Sequence, residues 1–181
     1  MLLRLQPGLP GFSREDWQST IRGYAAAHPD YSDLAAWVGR ETADITYSDF
    51  DGAFTRLLID KGYLASETWV DARPHYLIEV KTTTGSCSTP FFMSKYQYRR
   101  VGAIPAEYPR AFYGGHGANL SKMQRNSNHD NDNLGTVYVV FRVFNLGNEN
   151  IGLRVLVDPE SMRLQDELSF TAESWSVVAA E

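Results

Sequence analysis

Glu79 and Lys81, within the run Tyr76 Leu77 Ile78 Glu79 Val80 Lys81 Thr82, form the pattern in this sequence best suited to chemistry. In an extended strand successive side chains leave on opposite faces. Glu79 and Lys81 therefore share a face with Leu77, and Ile78 and Val80 point the other way. A carboxylate and an ammonium two residues apart can converge on one spot. Cleavage of a phosphodiester uses such a pair: carboxylate oxygens hold Mg²⁺, and a cation stands near the attacking water or the charge developing on phosphorus. A second carboxylate from a neighbouring strand is needed to fix the metal, and Asp44 is the first choice. The bland alternative is a solvated face with a weak ion pair. The apolar flank Tyr76 to Val80 suits a central strand better than an exposed edge, which favours the chemical reading.

Other groups offer less. His28, His75, His116 and His129 have no ligand spacing, and Gly114 to Gly117 is not followed by the Lys and Ser or Thr of a phosphate-binding loop. Cys87 has no evident histidine partner and reads as an inert thiol. Tyr96, Tyr98 and Arg99 suit either base stacking or a core.

The elements that must position Glu79 follow from periodicity and punctuation. Ser13 with Asp16 forms a variant capping box, predicting a helix to about His28 whose Phe12 or Trp17, Ile21, Tyr24 and Ala25 face the body of the domain. Residues 43 to 49 alternate as a strand before the turn Asp51 Gly52. The segment Phe54 to Leu64 fits either a short helix capped at Gly62 or, over Phe54 to Ile59, a second strand. The Glu79 strand extends to about Thr84, and Ser94 caps a helix over about Lys95 to Val101. Residues 102 to 135 are irregular, with a polar loop from Asn126 to Asn133. Strands over 136–144 and 151–157 form a hairpin, and 168–178 adds at most a short element.

At 181 residues and 43% hydrophobic content the chain fits one α/β (α+β) domain with a central mixed sheet flanked by helices. The 22% charged and 13% aromatic fractions exclude wholesale disorder. A single cysteine excludes an internal disulfide and predicts a reducing, intracellular setting; no signal peptide or apolar run of about 20 residues is present, so a soluble protein is expected. The net charge of −5 and pI near 5.4 count against coating nucleic acid by bulk charge. Yet Lys95, Arg99, Arg100, Arg110, Lys122 and Arg125 face only Glu107 between residues 94 and 125. That stretch can contact phosphates, with Lys95, Arg99 and Arg100 nearest the Glu79 strand.

Four stretches carry a family resemblance: Glu41 to Ile45, Tyr76 to Gly85, Thr89 to Ser94, and Tyr138 to Val143. Over about residues 40–157 the chain resembles the carboxy-terminal domain of the plant protein NO VEIN, within the PD-(D/E)XK restriction-endonuclease-like superfamily, with 1–39 as an added helical part of a single domain. Related domains are often joined to large histidine-kinase-like ATPases, which the resemblance implies as a possible context. It implies Mg²⁺ (or Mn²⁺) held by Asp44, Glu79 and the Val80 carbonyl, Lys81 positioning or activating water, and Gln97 completing the site. Glu15 matches an extra acidic residue of some members. In compact members the Asp and Glu sit on a short hairpin, whereas here residues 50–75 must loop out between them. Should that insertion supply the neighbouring strand, Asp60 or Asp71 replaces Asp44. The expected activity is metal-dependent cleavage of nucleic acid. The alternatives are a nuclease-fold module that binds nucleic acid or protein without turnover, and a purely structural interaction domain.

Overall fold

The computed structural model describes residues 9–39, 41–103 and 135–171. Four strands form one mixed sheet in sequence order: β1 (Ile45–Ser48), β2 (His75–Thr82), β3 (Thr136–Phe144) and β4 (Gly152–Val157). β2 runs parallel to β3, and the two outer pairings are antiparallel. With α1 (Ala53–Asp60), α2 (Ser66–Trp69), α3 (Lys95–Ala103) and α4 (Pro159–Leu164), the architecture is α+β.

β2 and β3 lie inside the sheet and are covered on both faces, which is why their sequences read as near-continuous apolar runs. On one face Tyr76, Ile78, Val137, Val139 and Phe141 meet Phe12, Tyr47, Phe54 and Leu58, together with Trp69 of α2. On the other, Leu77, Tyr138, Val140 and Leu156 meet Ala43 and Val101, with Phe91, Met93 and Met162 at the margin. α1 and α2 thus cover the first face, and α3 and α4 the second.

The stretch from residue 54 settles as helix as far as Asp60, and residues 61–64 turn away from it. The chain leaves β1 through Gly52, whose φ of 73° lies in the left-handed region that favours glycine. A Cβ there would come within 2.6 Å of the Arg73 guanidinium. The buried Asp49 carboxylate accepts from the N–H groups of Phe54 (3.1 Å) and Thr55 (2.7 Å) and from the Thr55 hydroxyl (2.7 Å), satisfying donors the first turn of α1 leaves free. Gly62, at φ 75°, ends the helix as expected.

Several expectations need correction. In place of a single helix from Ser13 to His28 stand two 3-10 segments, Arg14–Asp16 and Thr20–Ala27, and a third, Pro29–Tyr31, follows them. The capping box at Ser13 forms, but Trp17 turns extended to bridge Ile45, and the Gln18 N–H donates to the Asp44 carbonyl at 2.8 Å. Pairing along the outer edge of β1 therefore wins over local helix propensity. The predicted apolar face does not form: Ile21 and Tyr24 are 62% and 82% exposed, and Arg22 is buried instead. The first strand is shorter than 43–49, leaving Asp44 just before it. β2 ends at Thr82 rather than Thr84. α4 was not anticipated; Asp158 caps it, its carboxylate accepting from the Ser161 N–H at 3.3 Å. Residues 168–171 hold no regular element, and 172–178 lie outside the described residues. So do residues 104–134, with Arg110, Gly114 to Gly117, His116, Lys122, Arg125, His129 and the polar run 126–133. Among the described residues no helix is long and apolar enough to cross a membrane.

Candidate functional site

Strand alternation places Glu79 and Lys81 on the sheet face covered by α3, and both side chains are largely withdrawn from solvent, at 4% and 18% exposure. Lys81 Nζ lies 3.1 Å from Glu79 Oε1. Gln97 reaches the pair from the first turn of α3, where its N–H donates to Ser94 Oγ (3.2 Å) and its Oε1 accepts from the Ser94 N–H (2.8 Å), a reciprocal capping box. The same Oε1 accepts from Lys81 Nζ at 3.1 Å, and Gln97 Nε2 donates to Glu79 Oε1. The cap of α3 and the Glu79–Lys81 pair therefore hold each other. From β3 the Tyr138 hydroxyl approaches Glu79 Oε2 at 3.4 Å, a long contact.

Asp44 reaches the site by register. Ile45 pairs with Ile78 in the antiparallel ladder, so continuing by one residue sets Asp44 opposite Glu79. Asp44 Oδ2 accepts the Val80 N–H at 2.8 Å. The N–H and C=O of one residue leave a strand on the same side, so the Val80 carbonyl faces the same edge, just beyond the start of β1. The inserted stretch does not replace Asp44. It forms α1 and α2 against the opposite face of the sheet, and both Asp60 and Asp71 are solvent-exposed.

Burial pushes the Glu79 carboxyl above its ordinary range, and the Asp44 charge pushes it further; the Lys81 ammonium offsets part of this. Burial and the neighbouring Glu79 likewise raise Tyr138, which stays a neutral donor.

No protein-family model, characterised protein or solved structure matches this chain.

Among the described residues no cluster of three or more His, Cys, Asp or Glu converges on one point. The groups that could face a cation here, the Asp44 and Glu79 carboxylates and the Val80 carbonyl, are all oxygen. That set suits Mg²⁺, which keeps several of its waters and takes one or two carboxylates, and it does not suit Zn²⁺, which favours nitrogen and sulfur.

The remaining expected residues separate. Glu15 is an exposed partner of Arg22 at 3.2 Å and belongs to the N-terminal segment, not to the Glu79 cluster. Lys95 and Arg99 are exposed on α3. Arg100 is half-buried and donates to the Glu41 carbonyl at 3.0 Å, tying α3 to the segment before β1. Cys87 is a free, half-buried thiol. Two residues of the site face, Tyr138 and Arg142, had no role assigned from sequence. Only the β2–β3 register, which sets Tyr138 beside Leu77 and Arg142 beside Lys81, brings them there.

Proposed function

We propose that Asp44, Glu79 and Lys81 form a divalent-cation-dependent phosphodiester-cleaving site on a restriction-endonuclease-like frame, of the kind found in the NO VEIN carboxy-terminal domain. The observation that carries this reading is the juxtaposition across β1 and β2: Asp44 is set opposite Glu79 and bonded to the Val80 N–H, with Lys81 3.1 Å from Glu79. Asp44, Glu79 and the Val80 carbonyl would hold Mg²⁺, which supplies Lewis-acid polarisation of the phosphate and a more acidic bound water. Lys81 supplies positive charge where negative charge develops on phosphorus and orients the nucleophile. Gln97 fixes both side chains and is a positioning residue. Tyr138 keeps Glu79 oriented without competing as a base.

The test incubates the protein with DNA and with RNA, each with Mg²⁺ or Mn²⁺, beside Glu79→Ala and Lys81→Ala. Each variant should cleave about 10²- to 10⁴-fold more slowly. No cleavage by the intact chain, or equal cleavage by all three, sinks the reading.

A second reading, a nuclease-fold module that binds nucleic acid or a protein without turnover, is favoured by the closed bonding of Glu79. Its oxygens already meet Lys81, Gln97 and Tyr138, and its carboxyl is pushed towards the neutral form. Salt-sensitive nucleic-acid binding that survives Glu79→Ala, with no cleavage, would select this second reading.

A further inference from the structure

Three basic residues stand in one cross-strand row on the site face. Lys81 of β2 pairs in register with Arg142 of β3, which pairs with Arg154 of β4. Register partners point to the same side of a sheet, and neighbouring strands lie about 4.8 Å apart, so the row places three cations over about 10 Å. Like charges directly opposite each other disfavour a sheet. Only Lys81 is offset, by Glu79. Among the described residues no ion pair involves Arg142 or Arg154.

Arg142 is the unusual member. It is 2% exposed, its guanidinium lies over the Phe91 ring at 5.3 Å, and one nitrogen, Nη2, donates to the Thr89 carbonyl at 2.8 Å. Its Nε and Nη1 are buried without any hydrogen-bond partner. A buried guanidinium with two idle donors is costly to keep, and the edge formed by Nε and Nη2 is a fork that can bind two oxygens of one phosphate once Nη2 leaves the Thr89 carbonyl. Arg154 is exposed on the edge strand, so the row runs from solvent towards Glu79.

We propose that Lys81, Arg142 and Arg154 form a phosphate-binding track beside the Glu79 site, anchored on the Nε–Nη2 edge of Arg142. The ligand is a phosphate group of a nucleic-acid strand; that source rests on the phosphodiester reading, whereas affinity for a phosphate group does not. Because Phe91 and the Thr89 carbonyl enclose Arg142, occupation requires the segment between β2 and α3 to lift at the Thr89 bond.

The test titrates inorganic phosphate, and separately a short thymidine oligonucleotide, against the full chain, with chloride holding ionic strength constant. Arg142→Met should weaken phosphate binding about ten- to a hundredfold. Arg154→Met, at an exposed position, should weaken it about twofold. Arg142→Lys, which keeps the charge and loses the fork, should fall between the intact chain and Arg142→Met. No phosphate binding by the intact chain, or the same affinity in Arg142→Met, overturns the proposal. If Arg142→Met does not fold, the Arg142 Nε–H resonance of the intact chain decides: it must move as phosphate saturates, and an unmoved signal overturns the track. Binding only of inorganic phosphate, and not of the oligonucleotide, overturns the nucleic-acid source. Phosphate and oligonucleotide binding without cleavage removes the nuclease reading and keeps the track; cleavage with unchanged phosphate affinity in Arg142→Met does the reverse.

Discussion

On one face of the sheet, Tyr76, Ile78, Val139 and Phe141 meet an apolar layer built around Phe54 and Tyr47. On the other, Leu77, Tyr138 and Val140 begin a similar layer, but two to four residues further along the same strands stand Glu79, Lys81 and Arg142. Each of those three is an ionisable group in a place where hydrocarbon would be more stable. The contrast teaches that a single-residue alternation separates an apolar face from one that holds buried ionisable groups. The first face holds the fold, and its rigidity lets the second hold buried charges at fixed spacing.

Substitutions should divide along that line. The largest expected effect on stability is at Phe54, 2% exposed, with its ring edge-on to Tyr76 at 4.8 Å and to Tyr47 at 6.1 Å. Phe54→Ala should cost about 3–5 kcal/mol in urea unfolding, through lost burial and the cavity left behind. A loss under about 1 kcal/mol would mean that this face does not carry the fold.

A smaller loss is expected where a polar group serves the apolar face. Asp49 is fully buried and satisfies two N–H groups of α1 and the Thr55 hydroxyl. Asp49→Ala leaves those donors unpaired and should cost about 1–3 kcal/mol, with α1 amides exchanging faster. Unchanged exchange in α1 would show that the carboxylate does not hold the helix.

The smallest effect in size has the opposite sign, and it sharpens the comparison most. The folded state raises the Glu79 carboxyl, first by burial and then by the Asp44 charge. Between the ordinary glutamate value of about 4.3 and the raised one, the folded chain binds more protons than the unfolded chain. Stability is therefore lost as pH rises through that window, and the whole cost is present above the folded value. Glu79→Gln cannot ionise, so its stability relative to the intact chain should increase as pH rises. Thermal melts of both proteins across the acid-to-neutral range would show this; a difference that does not change with pH would contradict it.

Much of the frame was legible in the sequence because β-branched and aromatic runs, turn residues and caps act over short distances. The strand carrying Glu79, the hairpin pairing 136–144 with 151–157, the helix after Ser94 and the helix ending at Gly62 all follow from such local signals. The N-terminal segment was misread because the helix signal around Ser13 competes with a pairing to Ile45, a partner distant in the chain. α4 is only six residues long, so its one local signal is the helix start at Asp158 and Pro159.

The sequence by itself determined that Glu79 and Lys81 share a face, since alternation is a property of any extended strand, and that Gln97 lies in the first turn of a Ser94-capped helix. Only the tertiary structure decided that Asp44, and neither Asp60 nor Asp71, stands beside Glu79, and that Arg142 lies between Lys81 and Arg154. Period two fixes which side chains share a face within one strand. Which strand lies beside it, and in what register, is set by packing the whole sheet.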